Sequence, residues 1–321
     1  MEPVLEGREL RKVYPIKTPL GRLKGVVRAV DGVSFSLMPS EILGVVGESG
    51  CGKSTLARLI LRLEEPDGGH LYFQGQDVYA LEEKALVPFR RQVQIVFQDP
   101  FSSLNPRMKV STMLTEPLLV HRLVESRAQA MERVVQLMER VGLSRGDLDK
   151  YPHEFSGGQR QRVGIARALI LDPQVVVADE PTSSLDVFVQ AQVLNLMLEL
   201  MEERGFSYIF ISHNLSLVGQ VADRIMVLYL GRVLETGPAR ELVREPLHPY
   251  TRLLVDSVPV PDPERAHLHT LPPLGDVPSP LSPPSGCPFH PRCPRARGIC
   301  MEEPPPLRDL GGGRRVACYL V

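Results

Sequence analysis

The sequence predicts an α/β fold carrying a helical insertion and a proline-rich C-terminal extension. Three observations carry that expectation. Short apolar runs alternate with helical patterns up to about residue 240. A glycine-rich loop of pattern G-x-x-x-x-G-K-[ST] lies between one such run and a helix, and 17 of the 30 prolines fall after residue 240. Proline fixes φ and removes a backbone donor, so that last region should be extended and loop-rich rather than a second sheet.

The 321 residues exceed the roughly 100–200 of a typical single domain. A boundary near residues 240–245 gives domains 1–240 and 241–321, with a helical subdomain over about 100–165. The net charge of −1 provides no overall pull toward nucleic acid or anionic membranes. No uninterrupted apolar run reaches the ~18 residues of a membrane span. The opening "MEPVLEGRELRKVYP" lacks the apolar centre of a signal peptide, so a cytosolic placement is expected.

In order along the chain, "VSFSL" (33–37) alternates like a half-buried strand, and "EILGVVG" (41–47) is an apolar run ending in glycine. "TLARLILRLEE" (55–65) continues as a helix. A second helix starts at about Ser126, places Met131, Val134, Val135, Met138 and Val141 on one face, and closes at Gly142. "QVVVAD" (174–179) and "YIFIS" (208–212) read as buried parallel strands. Between them Val189, Val193, Leu196, Met197 and Leu200 recur at helical spacing, ending at Gly205.

"GESGCGKST" (47–55) has the strand-before, helix-after context of a phosphate-binding loop. Gly47, Glu48, Ser49, Gly50, Cys51, Gly52, Lys53, Ser54 and Thr55 would cradle a nucleotide's phosphates. The glycines let the backbone curl its N–H groups toward phosphate oxygens, and the following helix N-terminus adds partial positive charge. Lys53 would reach the β- and γ-phosphates and Ser54 would ligate Mg²⁺; Cys51 reads as a small passive residue. "VVVADE" (175–180) ends a strand with two acids, Asp179 suited to the metal and Glu180 to the attacking water.

"FSGGQRQRVGIARAL" (155–169) decides the class. It resembles the LSGGQ signature of ATP-binding-cassette ATPases, with Phe155 in first place. Further marks follow in order: Gln98 in "IVFQDP" is similar to the Q-loop, Asp186 in "SSLD" to the D-loop, and His213 in "ISHN" to the switch histidine. Tyr14 in "RKVYP" is similar to the aromatic that stacks on adenine, although "PIKTPLGRLKGVVRA" sets it further from the core than in simpler cassettes. The resemblance implies a P-loop NTPase of the ABC type, with a RecA-like core, an antiparallel β subdomain and a helical subdomain. It implies ATP and Mg²⁺ as cofactors, with Gln98 sensing the ion and Glu180 and His213 acting in catalysis. It also implies that Ser156, Gly157, Gly158 and Gln159 close an ATP site on an opposing subunit. Because Glu180 and His213 are both present, a non-hydrolysing regulatory cassette is disfavoured.

"VVGESGCGKST", "FQDPFSSLNPR", "YPHEFSGGQRQR" and "PLHPYT" (246–251) resemble the ATP-binding subunits of dipeptide and oligopeptide importers, most closely the second of the two. That resemblance implies a second, different ATPase subunit, two transmembrane permeases and an extracytoplasmic peptide-binding protein as partners. It implies no nucleic acid, and a peripheral seat on the cytoplasmic face of the membrane. Import of another small solute such as nickel is an alternative; a cassette ATPase acting on ribosomes or DNA is the rival class.

Cys287, Cys293, Cys300 and Cys318 crowd the last 35 residues with spacing C-x5-C-x6-C-x17-C. No pair has the ~2–4-residue separation favoured by zinc, whereas a [4Fe–4S] cluster takes four thiolates on looser loops. The importer resemblance suggests the cluster. Zinc, and free or disulfide-paired thiols, stand as alternatives; His290 is a substitute ligand or a loop residue.

Overall fold

The structure is a computed structural model that describes residues 2–19, 21–257 and 275–321. Its elements run β1 (Leu5–Lys17), β2 (Leu23–Leu37), β3 (Ile42–Val46), α1 (Lys53–Ile60), β4 (Gly68–Phe73) and β5 (Gln76–Asp77). Next come α2 (Leu86–Gln92), β6 (Val93–Val96), α3 (Pro100–Ser103), α4 (Val110–Val120), α5 (Arg127–Arg140) and α6 (Gly157–Leu169). The chain continues through β7 (Val175–Asp179), α7 (Val187–Arg204), β8 (Ser207–Ser212), α8 (Leu215–Val221), β9 (Arg224–Tyr229) and β10 (Arg232–Pro238). It closes with α9 (Ala239–Arg244), α10 (Pro249–Asp256), α11 (Gly298–Glu302), β11 (Arg308–Asp309) and β12 (Arg315–Val316). These elements form two compact units, one built chiefly from residues 80–209 and the other from residues 5–37, 42–79 and 210–321.

The second of these units contains an antiparallel sheet in the order β2-β1-β4-β5. β1 and β2 form one long hairpin, closed by a turn in which the Gly21 N–H donates to the Thr18 carbonyl at 2.8 Å. That hairpin absorbs the segment separating Tyr14 from the core: Tyr14 pairs with Val27 across it. The expected 33–37 strand is only the inner end of a 15-residue one, where Val33, Phe35 and Leu37 are buried in alternation. The outer end was illegible because both faces there meet solvent and the period-2 signal disappears. A further sheet surface in this unit pairs β3 parallel with β9, and β9, β10, β12 and β11 antiparallel in that order.

α1 ends at Ile60, short of the expected Glu65. The Leu63 N–H donates to the Arg58 carbonyl at 2.9 Å and the Arg62 N–H to the Leu59 carbonyl at 3.0 Å, while Arg62 takes φ 53°. This is a Schellman stop with arginine at the left-handed position usually held by glycine, so no residue type announced it.

In the other unit β6 and β7 pair in parallel, and Val175–Ala178 of β7 are fully buried as an interior strand requires. Ser126 caps α5, its hydroxyl accepting from the Gln129 N–H. The buried stripe of α5 is Ala130, Val134, Leu137 and Met138, continued by Val141. Met131 and Val135 lie at its margin, so the real face is rotated slightly from the expected one. α7 ends at Gly205, φ 71°, as its sequence foretells.

Among the described residues, those of the C-terminal segment build no separate sheet. They form short helices and add the two-residue strands β12 and β11 to the edge of β10. Of the run "LPPLGDVPSPLSPP", residues 271–274 lie outside the described residues. The anchor of this segment is Glu235, fully buried, whose carboxylate accepts from the Leu247 N–H at 3.1 Å, the His248 N–H at 2.9 Å and Arg314 at 3.1 Å. A buried carboxylate is tolerated because its oxygens are satisfied and its charge is paired. His248 in turn caps α10, its Nδ1 accepting from the Tyr250 N–H at 3.0 Å.

Burial lowers the His248 pKa from its ordinary value to about 3. The unfolded chain takes up a proton that the folded chain refuses. Stability is therefore intact above the unfolded value near pH 6.5 and falls as pH drops from there toward 3. Below pH 6 the loss should steepen by up to about 1.4 kcal/mol per pH unit. His248→Asn, which keeps a capping acceptor, should remove that added slope. Urea-unfolding midpoints at several pH values check this, and parallel slopes in both proteins would contradict it.

Candidate functional site

β3 is buried throughout and delivers the chain into the loop 47–55. The loop's shape is imposed by its glycines. Gly50 and Gly52 have φ 78° and 108°, conformations that cost an L side chain heavily. A Cβ on Gly52 would collide with the Ala29 carbonyl, and one on Gly47 with the Leu228 carbonyl. Neighbouring backbone therefore packs tightly around the turn, and Gly52 becomes the N-cap from which α1 starts. Lys53 is buried, its ammonium donating to the carbonyls of Gly47 at 2.7 Å and Glu48 at 3.1 Å. Ser54 is exposed at the mouth of the helix. Cys51 is buried, and burial pushes its thiol pKa up, which keeps it neutral and agrees with a passive role.

Tyr14 on β1 is half-buried. Its hydroxyl bonds to Glu64 and reaches Thr55, the last residue of the loop. The structure thus brings Tyr14 to the loop's end despite the long hairpin. His213 follows β8 and is exposed, immediately before Asn214, which caps α8.

In the other unit, Asp179 ends β7 and Glu180 follows at φ 46°, a sparsely populated conformation for a residue with a side chain. The turn behind it is locked, since the Glu180 carbonyl accepts from both the N–H and the hydroxyl of Ser183, at 3.2 and 3.1 Å. Gln98, beyond β6, donates from Nε2 to Glu180 Oε2 at 3.3 Å. The two residues assigned to the ion and the water are neighbours.

Ser156 caps α6 reciprocally: its hydroxyl accepts from the Gln159 N–H at 3.3 Å and Gln159 Oε1 accepts from the Ser156 N–H at 3.0 Å. A serine–glutamine capping box leaves a rigid helix mouth suited to an anion. Gly158 admits no side chain, because a Cβ there would press on Val189. Phe155 is buried, which explains why a bulky apolar residue suffices in the first signature position. Its carbonyl accepts two bonds from Arg160, at 2.6 and 2.9 Å. Asp186 caps α7 through the Val189 N–H at 3.0 Å.

Cys287, Cys293, Cys300 and Cys318 line one small cavity together with His248, Phe289 and His290. The Cys318 sulfur accepts the Leu320 N–H at 3.4 Å, and backbone N–H groups of Phe289 and Arg295 address the sulfurs of Cys287 and Cys293. Burial, with the neighbouring cysteines adding to it, pushes the Cys287 thiol up to about 11. Donor type and N–H···S bonds suit a four-thiolate ligand set. Among the described residues, however, no group of three or more His, Cys, Asp or Glu side chains is gathered as a metal site. The four sulfurs share a cavity without being drawn together around an ion. Nor, among the described residues, is any helix long and apolar enough to cross a membrane.

Sequence reasoning missed two side chains that reach the loop 47–55: Arg292, which pairs with Glu48, and Tyr250, whose hydroxyl accepts the Glu48 N–H. "PLHPYT" was visible as a mark of kinship, but nothing in its spacing showed where its tyrosine points.

The family model described as "ABC transporter" matches residues 30–183, and "Oligopeptide/dipeptide transporter, C-terminal region" matches residues 234–300. The chain is 50% identical to the dipeptide transport ATP-binding protein DppF of Escherichia coli (strain K12), covering 100% of this chain and 95% of that protein. It is also 50% identical to the oligopeptide transport ATP-binding protein AppF of Bacillus subtilis (strain 168), covering 99% and 98%. Among solved structures, the dimeric ATP-binding cassette MJ0796 in a post-hydrolysis state with ADP and Pi superposes with TM-score 0.66 at 27% identity, over 74% of this chain and 99% of that one. CbiO1 of Clostridium perfringens, part of the ABC transporter complex cbiONQ, gives TM-score 0.65 at 27% identity, over 76% and 92%.

Ser156→Ala removes one half of the capping box. It should destabilise the protein by about 1 kcal/mol, read as a lower urea midpoint with unchanged slope. Ser156→Asp, which can still cap, should recover most of that loss; equal losses in both variants would contradict the capping role.

Proposed function

This chain belongs to the ABC transporter family and, within it, to the ATP-binding subunits of dipeptide and oligopeptide transporters, and from that premise we propose how its residues bind and split ATP. It is an ATPase that powers peptide transport. The observation that carries the residue-level reading is the loop turn itself: glycines at positive φ lead from a buried strand into α1, with Lys53 folded back into the turn.

Gly47–Thr55 wrap the phosphates with backbone N–H groups, Lys53 contacts the β- and γ-phosphates, and Tyr14 stacks on adenine. Ser54, on one unit, and Asp179 and Gln98, on the other, would each serve as a ligand or sensor for Mg²⁺, which when bound would offset the charge of the phosphates. Glu180 orients and deprotonates the attacking water. The new P–O bond forms to that water as the bond to the β–γ bridging oxygen breaks, and ADP leaves with the bridging oxygen. His213 contacts the γ-phosphate. The chain has one copy of each motif, so it supplies half of each ATP site. Ser156, Gly157, Gly158 and Gln159 serve a nucleotide held by a second, related ATPase subunit, with Asp186 at the same junction. Catalysis is then mostly positioning and charge stabilisation.

The remaining partners are two membrane-spanning permeases and an extracytoplasmic peptide-binding protein, with this chain seated peripherally on the cytoplasmic face. Residues 241–321 act as the group's C-terminal extension, beyond a cassette domain of residues 1–240. Cys287, Cys293, Cys300 and Cys318 would hold a [4Fe–4S] cluster, which when bound would supply a one-electron couple. His290 is better read as a loop residue, since its Nδ1 bonds to the Cys287 carbonyl.

Glu180→Gln in the assembled transporter should lower ATP turnover by at least about 100-fold while ATP still binds. Unchanged turnover would remove Glu180 from its role. Anaerobic purification should yield a brown protein with about four irons and four labile sulfides per chain. A colourless, iron-free protein would end the cluster assignment, and stoichiometric zinc would replace it.

A further inference from the structure

Glu48 is the second residue of the phosphate loop, and a carboxylate there faces the wrong way electrostatically for a site that takes a polyanion. The structure shows what answers it. Arg292, 244 positions away, grips that carboxylate with both arms, Nη1 to Oε2 at 2.7 Å and Nη2 to Oε1 at 3.0 Å. Arg292 is 4% exposed and its guanidinium also donates to the Tyr229 hydroxyl at 3.4 Å. Paired forks of this kind fix geometry as well as charge.

The same loop residue is held a second time through its backbone. The Glu48 N–H donates to the Tyr250 hydroxyl at 2.9 Å. Tyr250 packs on Tyr229 and Phe289, with ring centroids 4.6 and 5.3 Å away, and all three rings are buried. Arg292 and Phe289 lie between Cys287 and Cys293, so the loop is tied to the stretch that carries the thiols. The Glu48 carbonyl in turn accepts from the Lys53 ammonium. One residue thus links the C-terminal segment to the lysine that meets phosphate.

We propose that Arg292 is a positioning residue for nucleotide binding: it neutralises and anchors Glu48, so that the phosphate loop keeps the backbone shape and the local potential that ATP requires. This rests on the assignment of residues 47–55 to ATP. Without Arg292, an unpaired carboxylate would stand beside the phosphates in a partly desolvated site, where like charges repel more strongly than in water.

The test uses the full chain assembled with its partner subunits, and ATP affinity measured by titration with a fluorescent ATP analogue. Arg292→Met should weaken binding by roughly tenfold, within the usual range of site-to-site coupling. Adding Glu48→Gln to Arg292→Met should restore most of the affinity, although the double variant lacks both halves of the bridge. A purely structural role would predict no such rescue. Affinity unchanged in Arg292→Met, or a double variant binding no better than the single one, would overturn the proposal. If Arg292→Met fails to fold, Arg292→Lys carries the test: it keeps the charge, loses the fork, and should bind about threefold more weakly; unchanged affinity would again overturn the proposal. An unaltered protein that binds no ATP analogue would instead defeat the ATP assignment, and the proposal with it.

Discussion

A loop that binds phosphate with its backbone cannot be held in shape by its own side chains, because most of them must be absent or turned away. The loop Gly47–Thr55, proposed to cradle ATP, is under that constraint. The turn at Gly47–Gly52 is fixed from outside: by buried β3 behind it, by the Ala29 and Leu228 carbonyls that exclude any Cβ, and by a hydrogen bond from the Gly231 N–H to the Cys51 carbonyl. Arg292 and Tyr250 complete the enclosure from the C-terminal side. Each contact removes freedom from a segment whose glycines would otherwise leave its backbone loosely constrained.

A second local device recurs in the other unit. Ser156 and Asp186 each cap a helix with a side-chain oxygen. In the signature segment the capping box aims a stiff helix mouth, and Gly158 keeps that mouth free of side chain. Glu180 shows the complementary tactic. Its backbone sits at positive φ, held by Ser183, a sparsely populated conformation that the surrounding turn must maintain.

The turn at 47–52, the cap at Ser156 and the acids ending β7 were legible as local structure, because glycine placement, a capping serine and paired acids at a strand end occupy a few adjacent positions. The buried strands and the helix ends at Gly142 and Gly205 were legible for the same reason. The Schellman stop at Arg62 was not, since arginine carries no turn signal. The Arg292–Glu48 pair and the Glu235 anchor were hidden for a different reason. They join residues far apart in the chain, and no periodicity or spacing encodes such contacts. Cysteine clustering lies between these cases, for sequence located the four thiols and structure brought them to one cavity without gathering them around an ion.

This chain is an ATPase subunit of a peptide transporter, and the loop 47–55 with Lys53 is proposed to be where ATP drives that transport. The most direct measurement is uptake of a labelled dipeptide by sealed vesicles containing the complete transporter, supplied with ATP and its binding protein, with Lys53→Ala in this chain as the only change. ATP-dependent uptake by the unaltered complex and its loss in the Lys53→Ala complex, with assembly intact, is the predicted result. Uptake that proceeds equally well with Lys53→Ala would contradict the account.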